Sequence, residues 1–297
     1  MDRRLAGIGC GLLAALIWGG FPVVTRAGVA HSSLDSYDVT FLRFVVSGLV
    51  LLPVLLRRGL GGLGAGPVAL MVAGIGAPYM LVIAAGLTRA PVGLFAVLTP
   101  GSMIAFAAVL STIAAGERPS GAQRAGILLI LAGIVLTGSV ELLGSEGIAA
   151  ALFLLGGLLW AVYTVTTRVY AVEPLRATAL VSVVSAVIYA PAYLAVRGGA
   201  LLAMPPSEVV VQAVYQGLLV SVVALYFYSK GVSLLGPTVG ASFAALVPVL
   251  AVLEASLVLG ESPRGAALAG LAVVTLGMAA ILVGPRRAGR RRSARPS

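Results

Sequence analysis

Two charged residues stand where charge is expensive. Glu254 lies inside an apolar run over 236–259, about six residues from its end, or roughly 9 Å deep at 1.5 Å per residue. Arg43 sits at a similar depth, about six residues into the run over 37–56. A charge in a membrane span costs on the order of 2.5–3.5 kcal/mol on insertion scales, so each calls for a reason. A carboxylate at that depth can take up and release a proton or hold a coupling cation. An Arg43–Glu254 ion pair would offset both charges and could break and form through a working cycle. The structural alternatives are a hydrogen-bonded or protonated Glu254 that ties helices together, and an Arg43 that snorkels to the surface. Trp18, Trp160, Tyr79, Tyr226 and Tyr228 are the aromatic candidates for a substrate pathway. Packing, or for the tryptophans an interfacial belt, is the competing role.

Other chemistries lack their residues. Cys10 is the single cysteine and His31 the single histidine, so no intrachain disulfide and no Cys/His metal cluster can form. A His-based triad could draw only on His31. No HExxH, Asp-rich metal motif or nucleotide-binding P-loop occurs, which argues against an intramembrane enzyme and against ATP as direct drive. No cofactor is expected. The net charge of +10 suggests nucleic acid at first sight. However, six of the twenty basic residues fall in the last dozen positions and most others punctuate apolar runs, without a groove-reading motif.

The elements that must hold these residues follow from composition. Of the 297 residues, 60% are hydrophobic and 10% charged, far from the quarter usual in soluble domains. Lipid must be the solvent. Apolar runs long enough to span occur at 5–25, 37–56, 67–87, 90–113, 121–140, 147–167, 177–196, 209–229, 236–259 and 265–284. The predicted fold is thus an all-α integral membrane protein of about ten transmembrane helices. The break at Thr88–Pro91 is short enough to be a kink, which would leave nine. With the N-terminus inside, fifteen Lys and Arg fall on the cytoplasmic side. Arg26, Arg89, Arg197 and Arg264 make four outside, so both termini are expected in the cytoplasm. Arg3-Arg4 ahead of an apolar stretch also resembles a signal peptide, but that stretch is longer than a signal core.

The chain repeats. A shift of 144 superimposes Gly116/Gly260, Glu117/Glu261, Pro119/Pro263, Gly126/Gly270 and Gly133/Gly277. A shift of 142 pairs Leu16/Leu158, Trp18/Trp160, Thr25/Thr167 and Arg26/Arg168, with Phe21 opposite Tyr163. Five spans per half is an odd number, so the second half enters from the other side and the repeats are inverted. Inverted repeats suit alternating access. Duplication kept only for stability is the other reading. The predicted units are 5–140 and 147–284, followed by a basic tail at 285–297 suited to anionic lipid headgroups.

Glu117 and Glu261 end a helix and precede a proline and the next helix. They are expected to accept from free amides at that next helix start. Glycine- and proline-rich stretches, Gly74–Pro78 and Leu98–Gly101, are expected to kink or to allow close helix contact.

Together, Trp18-Gly19, Phe41-Leu42-Arg43-Phe44, the two Gly-Glu-x-Pro junctions, Tyr215-Gln216-Gly217 and Leu246-Val247-Pro248 resemble the EamA-type members of the drug/metabolite transporter superfamily. The resemblance spans about 8–284, with one departure: Pro100 and Pro248 do not align at the 144 shift, so the fourth and ninth helices should bend at different heights. It implies export or exchange of amino acids, other metabolites or drugs across the cytoplasmic membrane. It also implies a central cavity lined by the first four helices of each half. The fifth and tenth helices would brace the bundle or form a homodimer surface. The expected partners are a small-molecule substrate and the lipid bilayer, with no nucleic acid. A channel or a non-transporting scaffold is the alternative.

Overall fold

In a bilayer every backbone amide must be paired within its own segment, and the chain meets that demand with helices alone. The computed structural model describes residues 3–116, 119–141, 146–263 and 265–283, and contains no strand among them. In order come α1 (Arg3–His31), α2 (Ser36–Arg58), α3 (Ala65–Ile75), α4 (Ala77–Leu87), α5 (Val92–Ala115) and α6 (Gly121–Glu141). Then follow α7 (Gly147–Val169), α8 (Pro174–Arg197), α9 (Pro206–Gln212), a wider π-helical stretch Ala213–Val223, α10 (Ala224–Leu235), α11 (Pro237–Leu259) and α12 (Gly265–Val283). Helices α3 and α4 form one span broken at Gly76, and α9, the π stretch and α10 form another. Among the described residues eight spans are long and apolar enough to cross a membrane, and the shorter apolar α6 and α12 bring the bundle to about ten. Thr88–Pro91 is a true connection, because α4 ends at Leu87 and α5 starts at Val92.

The two halves interlock. Helix α1 packs against α10 and α11 of the second half, and α7 packs against α3, α4 and α5 of the first. Helix α2 lies along α8, and α6 along α12. Glycines permit these approaches. Gly126 of α6 faces the Gly277 carbonyl of α12, and Gly133 faces that of Gly270. The four glycines of the repeat therefore meet crosswise at the seam, each against the partner of the other's repeat position. Connections 31–36, 87–92 and 259–265 gather at one end, called distal below, where Ser33 meets Glu208. The other end, where α1 begins, is proximal, and there Arg58 pairs with Glu173.

The Gly of each Gly-Glu-x-Pro junction has a backbone reason. Gly116 and Gly260 end α5 and α11 in the left-handed region, at φ 65° and 67°. Only glycine adopts that cap without a Cβ penalty. Gly260→Ala is expected to destabilise by about 1 kcal/mol, with Gly116→Ala matching it at the opposite end. Thermal melting in detergent checks both. An unchanged midpoint would mean that the cap is not under strain.

Candidate functional site

Where α1 and α7 insert into the opposite half, each carries its tryptophan into contact with a tyrosine. Trp18 of α1 lies 5.1 Å from the Tyr228 ring of α10 and donates to the Val220 carbonyl at 3.3 Å. Trp160 of α7 meets Tyr79 of α4 edge to face at 6.4 Å. Four of the five aromatic candidates thus form two Trp–Tyr pairs, each across the boundary between halves. The fifth does not join them. Tyr226 is 63% exposed and touches only Phe227 among the ring contacts, because two residues along an α-helix turn a side chain to another face.

The end of α9 and the π stretch that follows it turn a polar row toward α1. Gln212 donates to the Val24 carbonyl at 2.6 Å and Tyr215 to that of Ile17 at 3.1 Å. Gln216, fully buried, donates to the Thr25 hydroxyl at 2.9 Å. The Gln216 side-chain carbonyl is left facing Arg43 Nη1 at 3.4 Å. The guanidinium lies over the Phe21 ring at 4.9 Å and near Phe44 at 5.7 Å, and its Nε is sealed from solvent without a partner. Glu254 is elsewhere. Its carboxylate lies against Gly19 and Gly20 of α1, and its Oε1 is buried without a hydrogen bond. The structure does not bring Arg43 and Glu254 together. Helix α1 carries Phe21 and Thr25 toward the arginine and the two glycines toward the glutamate, so each charge has its own surroundings. Neither has an ion-pair partner among the described residues.

Two cavities occupy opposite ends of the bundle. The proximal one, about 400 Å³, is lined by residues including Ala108, Ser111, Pro119, Gln123, Arg168 and Tyr228. The distal one, about 290 Å³, includes Arg26, Val252, Ala255, Pro263 and Ala267. These are images of each other under the sequence repeat: Arg26/Arg168 at a shift of 142, then Ala108/Val252, Ser111/Ala255, Pro119/Pro263 and Gln123/Ala267 at 144. Helices α6 and α12 contribute to the proximal wall through Ile127 and Ile281, so the lining extends beyond the first four helices of each half. Tyr228 alone of the aromatic candidates reaches the larger cavity.

The distal cavity is lined by an ion pair that sequence reading did not foresee. Arg26 Nε donates to Glu261, and its Nη1 donates to the carbonyls of Leu87 at 2.5 Å and Ala90 at 2.8 Å. The second Glu261 oxygen accepts from the Val92 amide at 2.8 Å. Glu261 therefore does accept from a free amide at a helix start, but the helix is α5 of the opposite half rather than the following α12. The left-handed turn at Gly260 aims the carboxylate across the bundle, which spacing alone could not reveal. Glu117, its repeat counterpart, lies outside the described residues, as does the tail at 285–297. The clue to Arg26 was its match to Arg168. A second distal cluster also escaped notice: Arg197 pairs with Asp35 and, at 3.5 Å, with Asp38, which also accepts from the Tyr193 hydroxyl at 2.6 Å. The Asp35–Asp38 capping-box spacing at the start of α2 was the available signal.

The described residues include no group of three or more His, Cys, Asp or Glu able to hold a metal ion. The model of the EamA-like transporter family matches residues 5–139 and again 147–283. An uncharacterized protein of Pseudomonas aeruginosa is 32% identical over 292 residues, covering 93% of both chains. A crystal structure of a protein superposes with a TM-score of 0.58 at 23% identity, over 93% of this chain and 96% of the other. At that identity the likeness speaks for the fold alone.

Proposed function

The chain belongs to the EamA-like transporter family, and from that premise we propose that it is a secondary transporter moving small organic metabolites through alternating access. The observation that supports this reading is the pair of repeat-related cavities, one at each end and unequal in volume. A carrier needs two such vestibules, open in turn, and inverted halves provide equivalent walls for both. The Trp18–Tyr228 and Trp160–Tyr79 pairs offer apolar, stackable surface along the boundary between halves. Arg43 and Glu254 supply one unpaired charge of each sign beside α1. Glu254 is assigned the coupling charge and Arg43 the binding of an anionic substrate group. Transport is by export or exchange across the cytoplasmic membrane, with the proximal end and both termini in the cytoplasm, in line with the excess of basic residues on that side. The exposed apolar faces of α6 and α12 offer a surface for a homodimer.

Counterflow in proteoliposomes against labelled amino acids and other metabolites tests the proposal. Saturable exchange of at least one class is the expected result. Flux that rises linearly with concentration would instead indicate a channel, and no exchange with any candidate would remove the transport reading. Tag accessibility in intact cells should place both ends inside.

A further inference from the structure

The two vestibules share their moving walls. Helix α5 contributes Gly93 and Leu94 to the distal cavity and Met103 to Ser111 to the proximal one. Helix α11 contributes Ala244 and Ala245 to the proximal cavity and Val252 and Ala255 to the distal one. In each helix a proline falls between the two stretches, Pro100 in α5 and Pro248 in α11. A proline inside a helix removes one backbone hydrogen bond and is the usual place for a bend.

The same helices are unequally packed. The distal half of α5 is sealed, with Val92 and Ala96 to Leu98 fully buried, whereas Met103 to Thr112 are at best partly covered. The tie across the sealed end is Arg26, which joins the end of α4, the start of α5 and the α11–α12 connection through Glu261. It links one half of the chain to the other in the wall of the smaller cavity. Both side chains keep about the same small exposure, 16% and 15%, so vestibule water can take over their hydrogen bonds on separation. A fully buried pair would be held shut by the cost of desolvated, unpaired charges.

We infer that Arg26–Glu261 is the latch of the distal vestibule, and that α5 and α11 bend about Pro100 and Pro248 so that release of this pair opens the distal cavity while the proximal one closes. This rests on the transporter reading, yet its test does not depend on knowing the substrate. In a Cys10→Ser background, single cysteines are placed at the repeat-related positions by Val252→Cys and Ala108→Cys. Their alkylation rates by a membrane-impermeant maleimide are measured in nanodiscs. Glu261→Gln is expected to raise the rate at 252 and lower that at 108, each roughly fivefold or more, the span of ordinary conformational couplings. Arg26→Lys, which keeps the charge and loses the forked contacts, should move both rates the same way by less. The double exchange Arg26→Glu with Glu261→Arg should bring both back toward the parent.

A rise at 252 with 108 unchanged would mean local loosening of a structural pair and would overturn the latch. So would unchanged rates at both sites. Counterflow is run on the same proteins: absence of exchange with every substrate removes the transport reading, while reciprocal labelling would still stand for the latch.

Discussion

Arg43→Met is expected to lower counterflow by about tenfold or more while leaving the thermal midpoint unchanged or raised. The sign on stability follows from magnitudes. The native guanidinium has two long hydrogen bonds, to Gln216 at 3.4 Å and to the Met80 sulfur at 3.8 Å, and lies over Phe21 at 4.9 Å. Such a cation–π contact contributes about 0.5–2 kcal/mol, against roughly 2.5–3.5 kcal/mol for a charge held inside a span. Methionine fills similar volume and keeps contact with the aromatic rings. A residue retained for packing would show the reverse, a lower midpoint with transport intact, and that outcome would remove Arg43 from the pathway. Glu254→Gln follows the same logic, since its Oε1 is already without a partner. Counterflow should persist in that variant while gradient-driven accumulation is lost. Intact accumulation would end the coupling role of Glu254. A gain in stability paired with loss of function is the signature of a charge kept for work.

The seam between α6 and α12 should give the largest loss of stability. A Cβ at Gly126 would meet the Gly277 carbonyl at 2.7 Å, and one at Gly133 would meet that of Gly270 at 2.9 Å. The seam therefore sets each glycine against a backbone carbonyl as well as a side chain, Ile281 or Val274, and the backbone cannot yield as a flexible side chain can. Overpacking a core costs about 1–3 kcal/mol where side chains alone must shift, and here two helices must part. Gly126→Leu is expected to lower the melting midpoint in detergent by roughly 5 °C or more. Gly270→Leu, on the other side of the same seam, should match it. Gly9→Leu, whose glycine has no neighbour within 4 Å of an added Cβ, serves as control and should leave the midpoint in place. Equal losses at all three positions would remove the seam as the cause, since helix propensity by itself favours leucine over glycine.

Much of the architecture was legible before any coordinates. Lipid demands about 20 apolar residues per crossing, so span number and length follow from composition and punctuation. The repeat is legible for a related reason: Gly116 and Gly260 must both adopt a left-handed cap, and few other residues can. Even the kink flagged at Gly74–Pro78 appears, as the break at Gly76 between α3 and α4.

Contact, by contrast, was decided by the fold alone. Internal symmetry says which positions are equivalent, but not which surfaces touch. Depth placed Arg43 and Glu254 at one level, yet depth has no angle about the bundle axis, and α1 keeps them in separate surroundings. Spacing put Glu261 ahead of α12, yet the turn at Gly260 carries it across to Arg26 and the start of α5. The π stretch that turns Tyr215 and Gln216 toward α1 left no mark in the hydropathy pattern, because a wider helix uses the same apolar residues. Apolar composition and the internal repeat together determined that this chain is a stack of helices in two related halves. Side-chain directions across the interface between those halves, which no one-dimensional pattern encodes, decided where its charges meet.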